Sequence, residues 1–195
     1  AGGGQDLDRW ILAKLNGLVR TAQEGYESYD TAAIVSASER FFEDLSNWYL
    51  RLSRRRFYHT DDQPAFQTLH RVLTTTIRIL APIVPFTTEA IHRNLLAGGN
   101  DLPESVHLMS FPQPCSSLDD DELLADMDVV QRVVRLGLHA RKEAAIKVRQ
   151  PLRQVSLHLT DDRARIAVDR FRELVLTELN VKKLSYEDDL GPLVR

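Results

Sequence analysis

Apolar side chains recur at steps of three and four through most of residues 5–145, and this spacing constrains the fold more than any other feature. It is typical of α-helices that bury one stripe of side chains, because 3.6 residues complete one helical turn. The first stripe lies within residues 5–26 and consists of Leu7, Ile11, Leu15, Leu18 and Ala22. We therefore predict a bundle of helices.

Capping residues and prolines indicate where the next two helices begin. Asp30 is a suitable N-cap for a long second helix that runs to about Tyr58. A third helix is predicted to open at Asp61 or Asp62, because Pro64 then falls in its first turn, where the missing amide hydrogen costs nothing.

The third helix cannot continue smoothly beyond residue 81. Pro82 and Pro85 remove amide donors, so we predict a break there and a shorter helix through residues 90–96 that closes at Gly98-Gly99. In the proline-containing loop that follows, the run from Val106 to Phe111 is typical of a β-strand.

A further long helix is predicted after this loop. Ser117 and Asp120 have the spacing of an N-terminal capping box, and the helix should extend toward Ala145. Its apolar stripe consists of Leu123, Met127, Val130, Val134 and Leu138.

The C-terminal residues change pattern. Apolar residues alternate over 155–159, Asp161-Asp162 can cap a helix that continues to Leu179, and the run from Val181 to Tyr186 is typical of a second strand. The predicted fold is mainly α, a helical bundle with a small C-terminal β-α-β appendage. We assign residues 1–4 to a linker, 5–152 to the bundle and 153–195 to the appendage.

Composition excludes several classes of protein. A single cysteine, Cys115, cannot form an internal disulfide and fits a reducing compartment, so we expect a cytoplasmic protein. No metal-binding histidine pair, glycine-rich phosphate loop or nucleophile motif is present, so we predict no catalytic residue, no metal site and no cofactor for these residues.

Positive charge is concentrated although the formal net charge is −3. Four of the six residues from Arg51 to Arg56 are arginines. On a helix Asn47, Arg51, Arg54 and Tyr58 share one face, where guanidinium groups and an aromatic ring suit RNA. The alternative is a solvated helix surface. The apolar stripe of this second helix consists of Phe41, Leu45, Trp48, Tyr49 and Leu52, and we expect Trp48 to be buried.

A second basic stripe precedes an exposed loop. Arg135 and Lys142 follow one helix face, and the loop Lys147-Val148-Arg149-Gln150-Pro151 comes after it. Here too RNA contact has an alternative, because Lys147 and Arg149 could pair with the acidic run Asp119–Glu122.

Several of these segments resemble class I aminoacyl-tRNA synthetases. The segments are D-R-W-I-L at 8–12, D-L-S-N-W-Y at 44–49, R-R-R-F at 54–57 and L-A-P-I-V-P-F at 80–86. Three others resemble more narrowly the isoleucyl-tRNA synthetases of the eukaryote-like branch: E-S-V-H-L at 104–108, A-I-K-V-R-Q-P-L at 145–152 and E-L-N-V-K at 178–182.

The resemblance implies a helical anticodon-binding domain and the start of a C-terminal extension. Its partners would be isoleucine tRNA, bound at the anticodon stem-loop, and the rest of a monomeric synthetase chain, with no membrane contact. The H-I-G-H-like and K-M-S-K-S motifs and the editing insertion are missing from this sequence, so ATP and magnesium would act elsewhere in the full-length enzyme.

Two other functions stay open at this point: the same domain of a valyl or leucyl enzyme, and a docking module without RNA contact. The residues predicted to bind tRNA are Asn47, Arg51, Arg54, Arg55, Tyr58, Arg135, Lys142, Lys147, Arg149 and Gln150.

Overall fold

The computed structural model describes residues 3–58, 62–96 and 103–187. The chain divides into two compact units, an N-terminal unit, Ala1–Asp120, and a C-terminal unit, Asp121–Arg195. The predicted division near residue 152 is a different one and stays a prediction. Of the predicted linker, Gly3 and Gly4 belong to the first helix, and Ala1 and Gly2 lie outside the described residues.

The N-terminal unit is helical, as predicted. Its helices are α1 (Gly3–Glu27), α2 (Thr31–Asp44), a π-helical segment (Leu45–Leu50), α3 (Arg51–Tyr58), α4 (Gln63–Leu80) and α5 (Pro85–Leu96). Helix α1 packs on α2 and α4, and Trp10 and Ile11 of α1 are fully buried. The predicted closure at Gly98-Gly99 lies outside the described residues.

Both predicted aspartate caps are present. Asp30 accepts a hydrogen bond from the Ala33 amide at 2.9 Å, and Asp62 accepts one from the Ala65 amide at 3.2 Å. Each side chain thereby satisfies one of the amide groups that a helix N-terminus leaves without a partner.

The π-helical segment changes which side chains face the core. Because a π-helix has a wider turn than an α-helix, side chains four residues apart face nearly the same direction. The residues buried at this spacing are Phe41, Leu45, Tyr49 and Ser53. Of the two aromatic residues predicted on the apolar stripe here, Tyr49 is fully buried, but Trp48 is only half-buried, so the prediction that Trp48 lies in the core is wrong.

Two predictions for the loop before residue 121 are also wrong. Val106–Leu108 forms a 3₁₀ turn instead of a strand, because Glu89 Oε2 accepts from Ser105 Oγ at 2.9 Å and from the Val106 amide at 3.1 Å. Ser117 belongs to a second 3₁₀ turn, and the next helix begins at Asp121.

The C-terminal unit consists of a long helix and a small β-α-β segment. Its elements are α6 (Asp121–Glu143), β1 (Val155–Leu157), α7 (Asp162–Arg170), α8 (Arg172–Leu179) and β2 (Leu184–Tyr186). The strands are parallel, with Val155 opposite Leu184, and both short helices pack on α6.

The single helix predicted between the strands is broken at Phe171, which has non-helical dihedral angles of φ −105 and ψ 26. The break lets each short helix bury residues of its own: Ala167 and Val168 in α7, Val175 and Leu179 in α8.

Candidate nucleic-acid interface

The first basic surface consists of Asn47, Arg51, Arg54, Arg55 and Tyr58. It lies on the π-helical segment and α3, and all five side chains are exposed, Tyr58 by 71%. The structure thus places these predicted residues in solvent along one stretch of helix.

Two arginines of this surface stack on aromatic rings. The Arg51 guanidinium carbon lies 5.8 Å from the ring centroid of Trp48, and that of Arg54 lies 5.7 Å from the ring of Tyr58. Arg54 Nη2 also donates to the Tyr58 hydroxyl at 3.2 Å, and Arg51 Nε donates to the Asn47 carbonyl at 2.7 Å. These contacts order two cations without neutralising them, because an aromatic ring carries no net charge.

The next two arginines have opposite environments. Arg55 is exposed and has no hydrogen-bond or ion-pair partner among the described residues. Arg56 is half-buried and contacts two carboxylates, with Nη2 2.7 Å from Asp8 Oδ2 and Nε 2.7 Å from Asp62 Oδ2. Arg56 therefore ties α3 to α1 and to the start of α4, and belongs to the structural framework beneath the first basic surface.

Arg56 and Asp62 stabilise each other's charged forms. Hydrogen bonds to Asp8 and Asp62 raise the pKa of Arg56, and the bond from Arg56 lowers the pKa of Asp62. Burial, together with the hydrogen bond that its hydroxyl donates to Asp8 at 2.8 Å, raises the pKa of Tyr49.

The second basic surface consists of Arg135, Lys142, Lys147, Arg149 and Gln150. Arg135 and Lys142 lie on α6, about 10 Å apart along the helix axis for a separation of seven residues. The other three lie in the loop between α6 and β1, and all five side chains are exposed.

Two carboxylates of the acidic run have arginine partners inside the N-terminal unit. Asp119 pairs with Arg20 at 2.5 Å and Asp120 pairs with Arg9 at 2.5 Å, so both are engaged by α1. Lys147 and Arg149 form no ion pair with any carboxylate in the described part of the chain.

Sequence reasoning missed two residues at these surfaces. Trp48 was assigned to the core, although its position three residues before Arg51 on a helix already allows a stacking contact. Arg141 is absent from the residues predicted to bind tRNA, yet it is buried and hydrogen-bonds to the loop that carries Lys147. Its position seven residues after the buried Val134 was the available signal, because that spacing repeats the buried face.

Within residues 3–58, 62–96 and 103–187, no group of three or more His, Cys, Asp or Glu side chains could hold a metal ion. None of the helices that the structure describes is long and apolar enough to cross a lipid bilayer.

A mainly helical chain with exposed arginine-aromatic pairs has the features of a helical RNA-binding domain. Comparison with known families agrees: the family described as anticodon-binding domain of tRNA ligase matches residues 8–157. The chain belongs to this family.

Curated relatives named isoleucine–tRNA ligase are similar to nearly the whole chain. The protein of Clostridium novyi is 39% identical over 193 residues, covering 96% of this chain and 18% of the relative. That of Dehalococcoides mccartyi is 42% identical over 188 residues, covering 94% and 18%. That of Pyrococcus furiosus is 35% identical over 185 residues, covering 92% and 17%. The chain thus spans about a fifth of the length of these relatives.

Proposed function

We propose that this chain is the anticodon-binding region of an isoleucine–tRNA ligase and that it binds the anticodon stem-loop of isoleucine tRNA. The observation that carries the proposal is the pair of stacked arginines, Arg51 on Trp48 and Arg54 on Tyr58, on an exposed helix. The family membership supports tRNA as the partner. The names of the three relatives support isoleucine over valine or leucine.

The first basic surface would contact both backbone and bases. Arg51, Arg54 and Arg55 would bind phosphates, because a planar guanidinium donates two parallel hydrogen bonds to phosphate oxygens. The exposed ring of Tyr58 would stack on an unpaired anticodon base, and the Asn47 amide would hydrogen-bond to a base edge.

The second basic surface would contribute in the same way. Arg135, Lys142, Lys147 and Arg149 would bind phosphates of the stem-loop, and the Gln150 amide would read a base.

We further propose that the ligase acts as a monomer in the cytoplasm, with ATP and magnesium bound outside this chain. The single cysteine, which fits a reducing compartment, supports that location.

The test is a binding titration of the 195-residue chain with a fluorescent isoleucine anticodon stem-loop, followed by anisotropy over a range of salt concentrations. We expect tighter binding to this hairpin than to one with a permuted anticodon. The logarithm of affinity should fall steeply with the logarithm of salt, by about 0.7 to 0.9 per phosphate contact.

Charge reversal tests the assignment of residues. The double variant Arg51→Glu/Arg54→Glu should lower affinity by at least about tenfold and flatten the salt dependence by about two contacts. The control Arg163→Glu changes an exposed arginine outside both basic surfaces and should have a small effect. Circular dichroism and thermal unfolding would verify that all variants are folded.

Three results would contradict the proposal in different ways. Unchanged affinity of the folded double variant would overturn the role of the first basic surface. Equal binding of both hairpins would overturn base reading within this chain. No binding even at low salt would overturn RNA contact and leave a docking module as the function.

A further inference from the structure

The loop after α6 is shaped from inside by a buried arginine. Arg141 is only 5% exposed, and its Nη2 donates to the backbone carbonyls of Lys147 at 2.9 Å, Val148 at 3.2 Å and, at short range, Gln150. A single nitrogen thus gathers three carbonyls from four consecutive residues. The side chains of residues 147–150 are exposed, so the carbonyl groups face inward and the side chains face solvent.

A second side chain holds the same loop from α8. Asn180 Nδ2 donates to the Val148 carbonyl at 3.0 Å, and the Asn180 carbonyl accepts from the Leu152 amide at 3.0 Å. Asn180 ends α8 in the left-handed conformation, with φ 49. The loop is therefore fixed on two sides, by a side chain from each of two helices.

No described residue of the C-terminal unit neutralises the charge of Arg141. It has no carboxylate partner among the described residues, and its Nε and Nη1 atoms are buried without a hydrogen-bond acceptor. Burying a cation in this way opposes folding, and an apolar side chain of similar volume would avoid that cost. Packing alone therefore does not account for an arginine here, whereas holding the loop carbonyls does.

We propose that Arg141 is a positioning residue for RNA binding. It fixes the loop so that Lys147, Arg149 and Gln150 point toward the RNA backbone, and it does not touch the RNA itself. This inference rests on the proposed function. Binding a polyanion at Lys147 and Arg149 would also offset the repulsion between their charges and that of Arg141.

Limited proteolysis tests the positioning role without RNA. Trypsin cleaves after lysine and arginine when the backbone is locally open, so a loosened loop should be cut at Lys147 and Arg149. We expect Arg141→Met to be cut there at least about tenfold faster than the wild type, with little change in the unfolding temperature. Cutting at the wild-type rate would overturn the inference.

Two further variants refine this comparison. Arg141→Lys should protect the loop better than Arg141→Met, because the three N–H donors of an ammonium group can reach the three carbonyls that share the two N–H groups of Nη2. Asn180→Gly keeps the left-handed backbone and removes one contact to the loop, so it should be cut at an intermediate rate. Arg163→Met is the control for loss of one positive charge, and its loop should be cut like that of the wild type.

A double-mutant cycle tests positioning with RNA. In the wild-type background, Lys147→Ala/Arg149→Ala should weaken binding of the stem-loop by about tenfold or more. In the Arg141→Met background the same pair should weaken it by no more than about twofold, because the two side chains are already misplaced. Equal losses in both backgrounds would overturn the positioning role.

The outcomes separate this inference from the proposed function. If the wild-type chain does not bind the stem-loop, the proposed function fails, and the RNA role of Arg141 fails with it. If the wild type binds, but the cycle is additive and cutting is unchanged, only the role of Arg141 is overturned.

Discussion

Replacing Arg56 with methionine should destabilise the N-terminal unit, whereas the same change at Arg55 should not. The two arginines are neighbours in α3 and lose the same charge and a similar apolar stem. They differ in environment: Arg55 is exposed, and the Arg56 side chain is 18% exposed and paired with Asp8, whose side chain is 11% exposed.

The magnitude follows from what Arg56→Met leaves behind. Removing one partner of a buried ion pair costs about 3–5 kcal/mol, because the other charge remains buried without compensation. Asp8 keeps the hydrogen bond from Tyr49 at 2.8 Å, and both charges retain some solvent, so we expect the low end, about 3 kcal/mol. For a chain of this size that loss lowers the unfolding temperature by about 6–12 °C.

Thermal unfolding followed by circular dichroism measures this difference. Arg55→Met should shift the midpoint by no more than about 2 °C, since exposed substitutions stay within about 0.5 kcal/mol. At a temperature where both variants are folded, their effects on RNA affinity should be the opposite of their effects on stability. Arg55→Met should weaken binding of the stem-loop, and Arg56→Met should not.

A second substitution identifies the cause. Asp8→Asn keeps an acceptor for Tyr49 but removes the charge, so it should destabilise the wild type and stabilise Arg56→Met. Equal unfolding temperatures for Arg55→Met and Arg56→Met, or Asp8→Asn destabilising both backgrounds equally, would refute this reasoning.

Two further measurements test other parts of the fold. Since Arg56 holds the pKa of Asp62 below its ordinary value of 3.8, the unfolded state binds more protons in acid, and stability should fall as pH drops through that region. Asp62→Asn keeps the helix cap, so urea unfolding between about pH 6 and about pH 3 should show a weaker pH dependence in this variant, and an equal dependence would contradict the assignment. Gly17→Ala should stabilise by up to about 1 kcal/mol, because its Cβ meets no atom within 4 Å, whereas at Gly137 a Cβ would lie 2.7 Å from Leu179 Cδ2. Gly137→Ala should therefore have a free energy of unfolding about 1–3 kcal/mol lower than that of Gly17→Ala. Equal stabilities of the two variants would contradict the packing at Leu179.

Local patterns were sufficient to predict most of the helices. The caps at Asp30 and Asp62 follow from short-range chemistry, which the sequence displays directly. The run from Val106 was mispredicted, because its conformation depends on Glu89, a partner 17 residues away. Propensity cannot anticipate such a contact.

The candidate site also contains features that local sequence predicts and features that depend on distant residues. Helical spacing predicts the exposed face of Arg51 and Arg54, but it does not separate Arg55 from Arg56 without knowing where Asp8 lies. The π-helical segment explains the error at Trp48, since its wider turn keeps Tyr49 in the core and leaves Trp48 half-buried. A regular 3.6-residue wheel cannot represent that shift.

The distribution of charge explains how a mildly acidic chain can carry two basic surfaces. Its 28 acidic residues exceed its 25 basic ones, but many carboxylates are engaged by arginines that lie outside those surfaces. Such pairs include Arg56–Asp8, Arg20–Asp119 and Arg170–Asp126. Since charges in solution act over about 8–10 Å at ordinary salt, a phosphate responds to the local surface and not to the net charge. Stacking on Trp48 and Tyr58 orders Arg51 and Arg54 without itself cancelling their charge, so under the proposed function the first basic surface would attract RNA, while the acidic remainder of the chain would disfavour binding elsewhere.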